Sequence, residues 1–304
     1  MAGGPGTVAL PSSAGNNGVY CSDDAAETWE QRVGPTMNAV VYTLAADPRD
    51  FSIIYAGING GPCSNLPPVC APETYFNSTS AIYKTTNGGA AWQELDALYQ
   101  SDLRVISVQV DQNDSDVIVA ATFSKLSEPG QDHGNFADAQ QLGLLRSSDG
   151  GLSRSSFTEG MSDDPKERAL LGMKTAPANG SQMYLTASRN TSYWSEDGGR
   201  SFHSARRMAA FAFDPHDPSG LSMLGSSGGS VSESADGGKT WMPRGEIPGF
   251  SESPESNDRV PTDIEWSRQD TSVVYLAGPY ARVLKSTDRG ATWQQVLSSA
   301  VLPE

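Results

Sequence analysis

The sequence predicts an all-β chain folded as a β-propeller of six four-stranded blades. Three observations carry that expectation. A turn motif recurs six times, a strand–turn–strand pattern precedes the later copies, and the composition is poor in apolar residues and rich in turn formers. The 304 residues include 31 Gly and 19 Pro, and 37% are hydrophobic. Short strands joined by Gly, Pro, Ser and Asp turns fit that balance, and long helices do not.

The motif reads S/T-x-D/N-x-G-x-x-aromatic. Its copies begin at Ser22, Thr85, Ser147, Ser195, Ser234 and Ser286, and the aromatic positions are Trp29, Trp92, Arg154, Phe202, Trp241 and Trp293. Each position has a physical task. The Asp or Asn oxygen accepts hydrogen bonds from backbone N–H groups just ahead and fixes a tight turn. The Gly two residues on takes a positive φ without steric cost. The Ser or Thr hydroxyl closes the turn, and the aromatic opens the next strand and buries a large apolar face between sheets. The third copy has Arg154 in place of the aromatic and the first has Ala26 in place of Gly, so these two turns are expected to be the loosest.

The second pattern is clearest before the fifth copy. Residues 211–218 read Phe-Ala-Phe-Asp-Pro-His-Asp-Pro, and Leu-Ser-Met-Leu-Gly at 221–225 and Gly-Ser-Val-Ser-Glu-Ser at 229–234 follow. That is strand, Asp-Pro turn, strand, loop, strand, repeat turn, strand. Residues 41–57, 105–121 and 262–278 repeat it. Four strands per repeat define a propeller blade. The first repeat lacks an innermost strand, and residues 298–304 offer a spare one. Blade 1 is therefore expected to combine residues 1–37 with 298–304, closing the ring and covering an open sheet edge. Blades 2 to 6 are expected over 38–97, 98–160, 161–205, 206–250 and 251–297. Insertions fall near 58–80 and 124–142.

The net charge is −15, a surface that repels nucleic acid and anionic membranes. No apolar run reaches the roughly 18 residues of a membrane span. The opening Met-Ala-Gly-Gly-Pro-Gly has neither a basic region nor an apolar core, so it is not a signal peptide. Cys63 and Cys70 flank a Pro-rich loop, where a disulfide indicates an oxidising compartment and a secreted or periplasmic protein. Cys21 is left over, as a buried thiol beside a turn. His133, His203 and His216 are dispersed without metal-ligand spacing. No phosphate-binding loop, nucleophile elbow or dinucleotide fingerprint is present, and neither a metal nor a cofactor is expected.

The Ser-x-Asp-Gly-Gly-Lys-Thr-Trp turn and the Asp-Pro-x-Asp-Pro element before it resemble the Asp-box propellers across essentially the whole chain. Those families include sialidases, xyloglucanase-type glycoside hydrolases, sortilin-type receptors and the photosystem II assembly-factor propeller. The xyloglucanase and assembly-factor branch is the most similar in its repeat grammar. The Arg-Ile-Pro motif of sialidases is absent. The resemblance implies a fold, and it places the usual site on the face opposite the Asp-box turns, so function must be read from that other face.

Loops entering the innermost strands, and loops joining second to third strands, share that face. Arg104, Arg168, Arg207 and Arg259 fall at equivalent places before the innermost-strand turns of four blades. Arg189 and Arg282 lie in second-to-third-strand loops. Two readings compete for them. They either bridge blades by pairing with Glu167, Asp258, Asp263 and other acids, or form a funnel holding carboxylate or sulfate groups bidentately. Asp263 and Glu265 alternate along one innermost strand and share a facing, the minimal two-carboxyl equipment for glycosidic hydrolysis. Tyr75 and Tyr280, with other loop aromatics, are placed to stack on sugar rings, grip a protein partner or pack their own loops. The expected function is a secreted, monomeric carbohydrate-active propeller of glycoside-hydrolase type, binding or cleaving an acidic or neutral polysaccharide at the central funnel. The alternative is a non-catalytic binding or assembly propeller with a protein partner on the same face.

Overall fold

A computed structural model describes residues 6–9, 19–22, 30–31, 40–59, 80–95, 103–124, 143–164, 167–168, 170–187, 191–250, 261–278 and 282–297. The described residues form 23 strands and no helix, so none holds a helix able to cross a membrane. Two compact units emerge, residues 1–158 with 162–172 and residues 159–161 with 173–304. Residues 60–79, 125–142 and 298–304, which hold all but the end residues of both expected insertions, together with Cys63, Cys70 and the expected closing strand, lie outside the described residues.

The first unit carries three antiparallel sheets. One has three strands in the order β1 (Gly6–Ala9), β2 (Val19–Ser22), β3 (Glu30–Gln31). Next comes a sheet of β4 (Val40–Ala46), β5 (Ile54–Asn59), β6 (Ser80–Thr85) and β7 (Gln93–Glu94). The third holds β8 (Leu103–Val110), β9 (Ile118–Ser124), β10 (Leu144–Ser147) and β11 (Ser155–Phe157). Tyr55 and Ile82 of the second sheet pack with Val105, Val108, Ile118 and Leu145 of the third. In this unit the core therefore lies between consecutive sheets, and the second strands are buried at consecutive positions, 54–58 in β5 and 118–122 in β9.

Three further four-stranded sheets follow. The first is β12 (Leu170–Ala176), β13 (Asn179–Ala187), β14 (Thr191–Ser195) and β15 (His203–Arg206). The second is β16 (Ala210–Phe213), β17 (Met223–Ser227), β18 (Ser230–Ser234) and β19 (Met242–Glu246). The last is β20 (Asp263–Trp266), β21 (Val274–Gly278), β22 (Arg282–Ser286) and β23 (Gln294–Leu297). In the second unit Tyr184 packs with Met208, Phe211 and Met223, and Leu224 and Val231 pack with Ile264, Trp266 and Trp293.

The repeat turn is built alike in all five described copies. In the fifth, the Ser234 hydroxyl donates to Asp236 Oδ1 at 2.8 Å and accepts from Gly238 N at 2.9 Å. Asp236 also accepts from Thr240 N at 2.9 Å and from the Thr240 hydroxyl at 2.5 Å. The third copy makes the same bonds, Ser147 to Asp149 at 2.8 Å and Ser153 N to Asp149 at 2.8 Å. Arg154 therefore does not loosen it, because the turn closes through its own oxygens without the aromatic. The first copy, with Ala26, lies outside the described residues. Two consecutive residues, rather than one, take positive φ. Gly237 and Gly238 have φ of 76° and 89°. In the sixth copy the first of the pair is Arg289, with φ 59°.

Each repeat turn is tied to the first-to-second-strand turn of its own sheet. Gly88, Gly150, Gly198, Gly237 and Arg289 donate N–H to the carbonyls of Ser52, Asp116, Ser181, Leu221 and Ser272, at 2.8 to 3.0 Å. Asp47 and Asp214, the acids of two Asp-Pro turns, are buried. Each accepts from the N–H two residues on and reaches the next sheet, Asp47 through the Ser115 hydroxyl at 2.9 Å and Asp214 through Arg289 at 2.8 Å.

Candidate functional site

The innermost strands begin at the end of each sheet away from the repeat turns. In the second unit that region holds a charged cluster. Along β20, Ile264 and Trp266 are buried while Asp263 and Glu265 are exposed, so the two carboxylates do share a facing. Both meet one ammonium. Lys174 of β12 donates to Asp263 Oδ1 at 2.9 Å, to Glu265 Oε1 at 2.5 Å and to the Ile264 carbonyl at 3.0 Å. Asp263 Oδ1 also accepts from Ile264 N at 2.9 Å. Two oxygens sharing one nitrogen at those distances lie at most about 5.4 Å apart, no farther than the ~5–5.5 Å separation of a retaining glycosidase pair. The ammonium occupies the space between them. Lys174 is 25% exposed and the carboxylates 52% and 62%, so the cluster is open to solvent.

Arg207 lies between β15 and β16, and its backbone is pinned on both sides. The Tyr184 hydroxyl donates to the Arg206 carbonyl, and Ala209 N donates to Ser226 O at 2.7 Å. Met208 is buried, whereas Arg207 is half-buried. Its Nε is buried and has no acceptor among the described residues. In the first unit, the Arg168 Nε is likewise buried without an acceptor, and its Nη2 makes one long contact, 3.5 Å, to the Asp163 carbonyl.

Arg282 is tied to its own neighbourhood. It donates to Pro248 O at 2.9 Å, Gly249 O at 3.2 Å and Gln295 Oε1 at 3.1 Å, and its guanidinium lies 4.7 Å over the Phe250 ring. Arg104 sits on β8 opposite Phe123, and its side chain lies outside the described residues. So do Arg189, Arg259, Tyr75 and Tyr280. Among the described residues, the ion-pair partner of Asp263 is Lys174. Lys174 went unrecognised in the sequence because it is an isolated charge in a strand, 89 residues from Asp263. Among the described residues, no group of three His, Cys, Asp or Glu could hold a metal ion. His203 stacks on Trp194 at 4.1 Å, and the His216 Nε2 lies 2.9 Å from the Ser267 carbonyl.

No protein-family model and no curated protein matches the chain. Solved structures do match it. The GH74 xyloglucanase from Xanthomonas campestris superposes with a TM-score of 0.66 at 17% identity, over 97% of this chain and 43% of that one. An ancestral GH74 enzyme gives 0.62 at 16%, over 98% of this chain and 39% of that one. The structure of YCF48 bound to D1 peptide gives 0.59 at 16%, over 96% of this chain and 83% of that one. The chain thus spans less than half the length of the two GH74 structures. At these identities the likeness is one of fold, and by fold the chain belongs with the β-propellers.

Proposed function

We propose that this chain is a non-catalytic binding propeller of the Asp-box kind, extracytoplasmic, with six blades closed into a ring by residues 298–304. It holds an acidic segment of a protein partner where the innermost strands begin. The observation that carries this reading is the contrast between the carboxylates and Arg207. Asp263 and Glu265 have Lys174 between them, where a scissile bond would have to lie. In the second unit, Arg207 carries a buried Nε that no described group satisfies. A guanidinium in that condition favours an incoming carboxylate, because charge-assisted hydrogen bonds are the strong ones. That one neighbour is described as YCF48 bound to D1 peptide supports a peptide ligand on this fold. A second reading, a glycoside hydrolase acting through Asp263 and Glu265, is favoured by their shared facing and spacing.

The deciding experiment combines a turnover screen on xyloglucan and chromogenic glycosides with calorimetry of acidic peptides and their amide-matched counterparts. No turnover is expected. Acidic peptides should bind more tightly than the amide controls, and Arg207→Ala should weaken that binding by roughly 1.5–3 kcal/mol, the worth of a hydrogen bond to a charged group. Turnover that disappears in Asp263→Asn would establish the enzyme instead. Preference for uronic-acid oligosaccharides over every peptide would move the ligand to polysaccharide.

A further inference from the structure

At the opposite end of the same unit, a cavity of about 350 Å³ opens between the fifth and sixth sheets. Ligand pockets span roughly 300–1,000 Å³. Met223, Leu224, Met242 and Trp266 form its apolar walls, and Glu233 and Arg289 are among its polar ones. Two independent features meet there.

The first is Arg289. It is the one non-glycine among the described residues with positive φ, at a position where the four other described turns have Gly88, Gly150, Gly198 and Gly237. A side chain held in the left-handed region is an outlier that points to function at its site. This one is well anchored. It pairs with Asp214 at 2.8 Å, donates to the Thr271 carbonyl at 3.2 Å, and lies 4.7 Å over the Trp266 ring. Those two hydrogen bonds leave three of the five guanidinium N–H groups without an acceptor among the described residues.

The second feature is Trp266. It is only 7% exposed, and its indole N–H is buried with no acceptor among the described residues. Trp92, Trp241 and Trp293 each donate to the carbonyl of the Gly three residues back, at 3.0 to 3.1 Å. Buried donors are nearly always paired, and an orphan calls for a bound water, ion or ligand.

We propose that this cavity is a second binding site, and that its occupant is a peptide presenting a large apolar side chain beside an uncharged backbone carbonyl. The lining selects that chemistry. Its charges are already matched, Arg289 with Asp214 and Glu233 with Arg244 at 3.3 Å. The Asp236 oxygens are occupied within their own turn. An anionic occupant would therefore meet no free cation, and a cationic one only the Asp236 oxygens already bonded in their turn, while a carbonyl oxygen answers the free N–H groups of Arg289. The Arg289 guanidinium lies over the Trp266 ring, so an occupant that moves it also alters the surroundings of the unpaired indole N–H. Met242 at the rim is 66% exposed. Flexible thioethers suit a pocket that takes varied apolar side chains. The volume accommodates one such side chain with its peptide unit. None of these residues belongs to the Arg207 region, so the two proposals stand or fall separately.

The test is NMR of the tryptophan indole N–H signals of the full chain, with Trp266 assigned through Trp266→Phe. The probes are N-acetyl-leucine amide, N-acetyl-methionine amide and N-acetyl-glycine amide. Leucine and methionine amides should shift the Trp266 signal saturably, and the glycine amide should not. Met242→Glu, which places a charge on the exposed rim, should weaken the leucine probe at least tenfold. Arg289→Gly, which installs the residue usual in this turn, should do the same. An unmoved Trp266 signal would overturn the proposal. So would equal shifts with the glycine probe, or either variant folding and binding as the wild type does. A change of oligomeric state in Met242→Glu would also overturn it, by showing that a second copy of the chain covers the cavity.

Discussion

Single residues do most of the work of this fold at the repeat-turn acids. Asp149 is held at about 2, well below its ordinary 3.8, by the hydroxyl and N–H of Ser153 and the hydroxyl of Ser147. Asp288 is held at about 2 by Thr292, through its hydroxyl and N–H, and by Ser286. Hydrogen bonds to the ionised form favour that form. A folded value below the unfolded one contributes stability that is fully present above about pH 4 and lost as pH falls toward 2. Melting temperature should therefore decline through that window. The second copy supplies the control, since Asn87 makes equivalent bonds, accepting from Thr85 and Ala91 at 2.9 Å, with an oxygen that does not titrate. Asp288→Asn should flatten part of the acid decline, as read by circular dichroism melts from pH 2 to 6. An unchanged slope would show that the turn acids do not govern acid unfolding.

At the scale of the element, the five described turns share a backbone path but not their surroundings. A Cβ on Gly238 would land in the Tyr184 ring. That ring cannot yield, because it meets Phe211 and Trp241 edge-on at 4.9 and 5.6 Å and its hydroxyl is bound to the Arg206 carbonyl. A Cβ on Gly290 would come no nearer than 3.2 Å to a terminal carbon of Leu224. Both positions carry positive φ. Gly290→Ala should thus cost about 1–2 kcal/mol from backbone strain, and Gly238→Ala about 1–3 kcal/mol more from overpacking. Urea unfolding of the two variants would separate these values, and equal losses would remove the Tyr184 argument. The strands and turns were legible in the sequence because their signals are local: alternation, Asp-Pro, and Ser-x-Asp-Gly-Gly. The left-handed residue just before the motif Gly was not, since Arg289 occupies it in the sixth copy and hides the requirement. The shared facing of Asp263 and Glu265 followed from strand alternation. Their meeting with Lys174, and the use of Arg282 by the 248–249 backbone, depend on packing between distant segments, which no local pattern encodes.

For the whole molecule, the first sheet has three strands where the five others have four, and β1 pairs only with β2 among the described residues. If residues 298–304 supply the fourth strand, their deletion should lower the melting temperature by several degrees, since it opens a sheet edge. An unaltered melt would leave the ring closure unsupported. The cross-links between turns carry a different consequence. At one end, each described repeat turn is bonded to the neighbouring strand connection of its own sheet. The expected insertions, near 58–80 and 124–142, fall in sequence between β5 and β6 and between β9 and β10, not at the repeat turns. Lengthening is tolerated where a connection bears no such bond. A ten-residue epitope placed between Gly228 and Gly229, in the β17–β18 connection, keeps Gly229 on the β18 side, where its carbonyl accepts from Ile247 N at 2.7 Å, and should leave the fold intact. The same epitope between Asp236 and Gly237 should unravel β19, and limited proteolysis would distinguish the two. Within each described sheet the repeat-turn end is thus the sealed one, and the second-to-third-strand connection is where new loops are expected to be tolerated.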